Sequence, residues 1–189
     1  MCMRFLPIQD KPEFDISYKS SVITIPNLVS KDVAASLIEY ASGTSSGLHR
    51  RGSKSHGVIA DFSTCLIPAS DTIYDLLDFA WEHYCSVVHP TLSFIEQYEI
   101  KMYSEGDSFG YHQDNRGSIE HNISRKINLI IQLSDETEYD GGDLIAGNHS
   151  CPRTFGTAIM FPSYFLHCVT PITRGQRVSL IGHAWGPLY

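Results

Sequence analysis

The sequence predicts an α+β chain whose first half is helical and whose second half is a mainly β sandwich or barrel. Two segments before Pro90 place apolar residues at the three-four spacing of a helix facing a core. From Phe94 onward the pattern changes to short strand-like runs separated by turn residues. Helices first and then many strands is the order of an α+β fold, not of alternating units. At 189 residues one domain is expected, with 1–92 as a supporting region and 93–189 as the β core.

The elements follow in order. A short apolar stretch, Val22 to Ile25, is stopped by Pro26. Ser30 suits an N-cap for a helix through about Ala41, with Val33, Leu37 and Ala41 on one stripe and Gly43 just beyond its end. The next segment, "SGTSSGLHRRGSKSHG" from Ser42 to Gly57, carries Arg50, Arg51 and Lys54 and meets no acid until Asp61. It reads equally as a substrate-facing lid or as a plain surface loop. A second helix runs from about Ser70 to Val88, with Ile73, Leu76, Leu77, Ala80, Trp81, Tyr84 and Val88 toward the core, and Pro90 ends it. Trp81 is expected to be core packing.

Strand-like runs then appear as "FIEQYEIKMY", "KINLIIQLS", "GTAIMFPSY" and "RVSLIGHAW", with the turn "YDGGD" at Tyr139 to Asp143. Alternate residues of a strand share a face. In the second run Ile127, Leu129, Ile131 and Leu133 form an apolar face, opposite Asn128, Ile130 and Gln132. In the last run Val178, Leu180 and Ala184 lie opposite Arg177, Ser179, Ile181, His183 and Trp185. A solvated sheet face and a polar barrel cavity both produce this alternation, and it does not choose between them.

Composition narrows the function classes. The net charge of −7 disfavours nucleic acid as a partner. The start, "MCMRFLPIQDKPEFD", reaches charges and prolines too soon for a signal peptide, and no run of 18 apolar residues suggests a membrane span. Five cysteines (Cys2, Cys65, Cys85, Cys151, Cys168) without metal spacing read as free thiols, and a cytoplasmic protein is expected. Nothing in the sequence sets an oligomeric state.

Within "FGYHQDNRG", His112 and Asp114 form an HxD pair. Alone this is a common hydrogen-bonded turn. It gains weight from His167, 53 residues after Asp114, and from Arg177, ten further on, with Ser179 on the same strand face. Two imidazoles and one carboxylate make the facial triad of non-haem Fe(II) oxygenases, which leaves positions for a chelating oxo-acid and dioxygen. A second carboxylate on that acid needs a permanent cation, and arginine offers a forked donor.

With these residues the second half resembles the Fe(II)- and 2-oxoglutarate-dependent dioxygenases, and within them the prolyl-4-hydroxylase-like branch. The likeness runs from about Tyr98 to Trp185, through "YSEGDSFGYHQDN", "LSDETEYDGGDL" and "AIMFPSYFLHCVTPITRGQRVSL". It implies a double-stranded β-helix, a jelly-roll barrel with the N-terminal helices packed on its larger sheet. It also implies His112, Asp114 and His167 as iron ligands, Arg177 with Ser179 on the distal carboxylate of 2-oxoglutarate, and Tyr103 as a further co-substrate contact. Asn128 is expected to line the same pocket. Fe(2+), 2-oxoglutarate and dioxygen are the implied cofactors, with ascorbate as a candidate reductant.

The implied reaction is hydroxylation of a C–H bond, with succinate and carbon dioxide as co-products. Asp114 argues against halogenation, for which this fold replaces the ligand carboxylate by a small residue. Collagen-type prolyl hydroxylases usually have lysine where this chain has Arg177, so their substrate is not carried over. The nucleic-acid demethylases carry a second arginine six residues after the first, where this chain has His183. A peptide or protein side chain, proline first, is the expected substrate, ahead of a free amino acid or natural product. Arg50, Arg51, Arg116, Arg125 and Trp185 are the candidate substrate contacts. A metal-binding jelly-roll sensor or binding protein is the non-enzymatic alternative. His49, His56, His83, His89, His121 and His149 are read as surface or structural, and Cys168 as core packing.

Overall fold

The computed structural model describes residues 22–43, 48–55, 58–67, 71–88 and 90–188. The first half holds β1 (Ile23–Ile25), α1 (Lys31–Ser42), β2 (His49–Ser55), β3 (Val58–Leu66) and α2 (Asp71–Val88). Then come β4 (Phe94–Ile95), β5 (Glu99–Ser104), β6 (Ser108–His112), β7 (Gly117–Ser118), β8 (Ile123–Gln132), β9 (Tyr139–Gly141) and β10 (Leu144–Ala146). The series closes with β11 (His149–Ser150), β12 (Ala158–Pro162), β13 (His167–Val169) and the long β14 (Ile172–Pro187).

The strands form one curled antiparallel sheet in the order β1-β12-β8-β14-β5-β3-β6-β13-β10-β11. Strand β3 turns the corner: Ser63 to Leu66 pair with β5, while Ala60 and Asp61 pair with β6. The larger layer, β1 to β5 in that order, therefore faces the smaller layer of β6, β13, β10 and β11. This is a jelly-roll half-barrel, as the resemblance implies.

Each face of the larger layer has its own core. Ile127, Leu129, Ile131, Leu133, Val178, Leu180 and Ala184 pack with Leu37, Ala41, Leu77 and Trp81 of the two helices. Burying such a side chain contributes about 1.5–3 kcal/mol, so this layer is the main apolar reservoir. On the opposite face Ile130 and Ile181 join Phe62, Tyr103, Leu144, Phe161 and Val169 inside the barrel. Asn128, Gln132, Arg177, Ser179 and His183 share that inner face and are all buried. The polar half of the alternation thus lines a cavity, not solvent.

The helices begin and end close to expectation. Ser30 caps α1 by accepting from the Val33 N–H at 3.4 Å, and the Gly43 N–H closes it on the carbonyls of Glu39 and Tyr40. In α2 Trp81 packs in the core and donates to the Tyr98 hydroxyl at 2.7 Å. The side chains of Ile73 and Leu76, and also Cys2, His56 and His89, lie outside the described residues.

One expectation is corrected. The stretch from Ser42 to Gly57 is not a loop throughout, because His49–Ser55 is a strand paired with β3 from His49↔Thr64 to Ser55↔Val58. Its composition is polar because it pairs with β3 alone, and an edge strand need not be apolar to satisfy its backbone.

The "YDGGD" turn brings β9 onto the start of β14. Gly141 and Gly142 have φ of 71° and 66°, a conformation that side chains resist. A methyl at 141 would also run into the Pro171 carbonyl oxygen. Gly141→Ala is expected to destabilise the protein by about 2 kcal/mol or more, lowering Tm by roughly 4–8 °C in a thermal melt. An unchanged Tm would contradict the turn as described.

Candidate active site

Antiparallel pairing sets His112 of β6 directly opposite His167 of β13, with ring centroids 4.1 Å apart. The chain leaves β6 and the Asp114 N–H donates to the Ser163 carbonyl at 2.9 Å. That turn aims the Asp114 carboxylate at both rings, 3.8 Å from His112 Nε2 and 3.3 Å from His167 Nε2. All three side chains offer a ligand atom within 4.8 Å of the others.

The proton positions suit a metal. His112 Nδ1 lies 2.8 Å from the Gly110 carbonyl oxygen, and His167 Nδ1 lies 2.9 Å from that of Phe165. A carbonyl oxygen only accepts, so each Nδ1 carries a proton, and Nε2, the atom nearer Asp114, is the one placed to ligate a metal. Burial, helped by neighbouring His167, pushes His112 down to about 4, so its ring is neutral at pH 7. Burial alone would raise Asp114, but contact with His167 and the charge of Lys101 hold its carboxyl far below the usual range. Two imidazoles and a carboxylate are a donor set that fits Fe(II).

Across the pocket stands Arg177, opposite Tyr103 in the β14–β5 register and 5.5 Å from that ring's centroid. Its guanidinium is 1% exposed as a residue, donates to Gln132 Oε1 at 3.0 Å and Ser179 Oγ at 3.4 Å, and leaves Nε without a partner. No carboxylate among the described residues lies within 4.0 Å of it. A buried cation without a counter-charge is costly, and a ligand carboxylate would supply one. Leu144, Val169 and Ile181 line the space between Arg177 and the histidines. Arg177 and the three metal-ligand candidates thus line one pocket with apolar walls.

Asn128 lines this pocket as expected, but its amide is turned away from Arg177. It donates to Asp114 Oδ2 at 3.1 Å and accepts from Ser163 Oγ at 2.9 Å, with His183 Nδ1 at 3.0 Å from the same oxygen. Sequence reasoning did not single out Gln132, Lys101 or His183 as site residues. Each had a signal, the period of two that puts it on the face of Asn128, Tyr103 or Arg177. Lys101 is buried and pairs with Glu99 at 3.3 Å.

A groove of about 350 Å³ leads from Asp114, Lys101 and His183 to the surface. Arg51, Arg116 and Arg125 line it; Arg50 and Trp185 do not. Arg50 is held instead by a two-pronged ion pair to Asp107. Arg125 pairs through two 2.8 Å bonds with Glu96, which also accepts from Trp185 Nε1 at 3.1 Å.

Residues 98–185 match the model of the 2OG-Fe(II) oxygenase superfamily. The barrel half of this chain is thus similar to the 2OG-Fe(II) oxygenases. The family implies Fe(2+), 2-oxoglutarate and dioxygen. The chain is 32% identical over 87 residues to a PKHD-type hydroxylase of Idiomarina loihiensis and 36% identical over 86 residues to one of Shewanella oneidensis. Those stretches cover 44% and 42% of this chain and only 39% and 38% of the relatives, about two fifths of their length. The viral collagen prolyl hydroxylase of Paramecium bursaria chlorella virus-1 superposes with a TM-score of 0.69 at 16% identity, covering 88% of this chain and 97% of that one. A Pseudomonas putida prolyl-4-hydroxylase gives 0.69 at 18%, covering 87% and 91%. At these identities the likeness shows the shared fold.

Two predictions follow from this oxygenase-like site. His167→Ala is expected to weaken Co(II) binding more than about 100-fold, read from the visible spectrum of the titrated protein. Burial also pushes His183 down to about 4. The unfolded chain takes up that proton below about pH 6.5 while the folded chain resists it to about 4, so stability falls with pH across that window. In urea unfolding without metal, wild type should lose about 2 kcal/mol more than His183→Asn between pH 7.5 and pH 5. Equal losses would contradict it.

Proposed function

We propose that this chain is a non-haem Fe(II)- and 2-oxoglutarate-dependent dioxygenase that hydroxylates a C–H bond of a peptide or protein side chain, proline first. One observation carries the reading. The His112, Asp114 and His167 cluster and the uncompensated guanidinium of Arg177 face one pocket from opposite walls.

His112 and His167 would hold iron through Nε2 and Asp114 through its carboxylate. When bound, iron and 2-oxoglutarate supply the oxidation, in which the oxo-acid yields succinate and carbon dioxide and one atom of dioxygen becomes the new hydroxyl. Arg177, with Ser179 beside it, would bind the remote carboxylate of the acid as a forked donor. Tyr103 walls that end and Ile130, Leu144, Val169 and Ile181 keep water out. The groove past Asp114 admits the substrate.

The hydroxylase names of the relatives and the prolyl hydroxylases among the structural neighbours support the peptide assignment. Cys85, Cys151 and Cys168 are free thiols, which supports a cytoplasmic setting. No helix of the described residues is long and apolar enough to cross a membrane.

The test is succinate release from 2-oxoglutarate with Fe(II), ascorbate and proline-containing peptides. Wild type should release succinate in step with peptide hydroxylation, and Arg177→Ala should need roughly 100-fold more 2-oxoglutarate. Release with free amino acids only would move the substrate class. No succinate under any condition, from protein that binds iron, would overturn the dioxygenase reading.

A further inference from the structure

His183 stands at the junction of the metal pocket and the substrate groove and lines both. It is the residue six after Arg177, on the inner face of β14, and it pairs directly with Asn128 of β8 in the sheet register.

The proton on its ring can be placed by following the hydrogen bonds outward from Asp114. Ionised Asp114 only accepts, so Asn128 must present its amide NH₂ to Oδ2, as the 3.1 Å contact has it. That fixes the amide, and its oxygen points the other way. The oxygen receives the Ser163 hydroxyl at 2.9 Å and faces His183 Nδ1 at 3.0 Å. An amide oxygen cannot donate, so His183 Nδ1 must. In a neutral ring the proton on Nδ1 leaves Nε2 as an acceptor. Nε2 has no hydrogen-bond partner among the described residues and is not sealed from the groove.

We propose that His183 is a substrate-recognition residue whose Nε2 accepts a hydrogen bond from an N–H or O–H of the substrate beside the carbon being oxidised. The inference rests on the dioxygenase reading for the place where substrate sits. For a peptidyl proline, whose own nitrogen has no hydrogen, the matching donor is the amide N–H of the following residue. The same network ties this contact to Asp114 through one side chain, so Asn128 is a positioning residue for both.

Two measurements test it. Nitrogen-15 NMR of the histidine rings, on Zn(II)-loaded protein at pH 7.5, should show His183 protonated at Nδ1 and bare at Nε2. Asn128→Leu should abolish that preference. A proton on Nε2 in wild type would overturn the inference whatever the assays show. The second uses blocked Ala-Pro-Gly-Ala and its analogue with sarcosine, N-methylglycine, for glycine. Wild type should prefer the glycine peptide about 10-fold in kcat/KM, the worth of one hydrogen bond. His183→Asn keeps an amide N–H for Asn128 but withdraws the acceptor, so it should lose that preference and fall about 10-fold on the glycine peptide only. His183→Gln, which reaches the Nε2 position, should restore part of it. Equal use of the two peptides by wild type would overturn the proposal. Turnover of neither peptide would count against the proline assignment, and the NMR result would then decide His183 by itself.

Discussion

The pairing of β6 with β13 is the constraint on which the rest depends. Residues directly opposite on antiparallel strands hold their Cβ atoms about 5 Å apart, so backbone hydrogen bonds alone bring His112 and His167 together. The Ser163 carbonyl then catches the Asp114 N–H and returns the carboxylate to the pair. Because β3 bonds to both β5 and β6, the sheet curls until the inner face of β8 and β14 looks at those histidines. Arg177, Ser179 and Asn128 arrive at the cavity because of that curl, with no local contact to Asp114's own segment needed beyond the Asn128 amide.

Electrostatics then order the site outward from one charge. Anionic Asp114 orients the Asn128 amide, and the amide orients His183. At the far end Arg177 is buried with neutral partners only, an arrangement that favours ligand over the stability of the empty protein. The apolar reservoir between the larger sheet and the two helices offsets this. Function and stability are thus divided between the two faces of the same strands.

That division was legible in the sequence at β8 and β14, whose period of two separated the two faces correctly. The sequence could not say that the polar face was enclosed, because enclosure depends on how the sheet curls. The iron-ligand candidates were legible through the spacing of His112, Asp114, His167 and Arg177, which the structure gathers in one pocket. The hairpin β2–β3 was not, since Arg50, Arg51, Ser53 and Lys54 read as loop, and their strand conformation comes from pairing with β3. Nor could spacing show that Arg50 would be taken by Asp107, 57 residues away. Asn128 was assigned to the co-substrate from its face alone, and only its partners show that its amide serves Asp114.

The most direct test of the central claim is an anaerobic crystal structure with Fe(II) and 2-oxoglutarate. The account predicts one ion on His112, Asp114 and His167, with the acid's remote carboxylate on the Arg177 guanidinium. An ion bound elsewhere, or an acid whose remote carboxylate leaves Arg177 untouched, would contradict it.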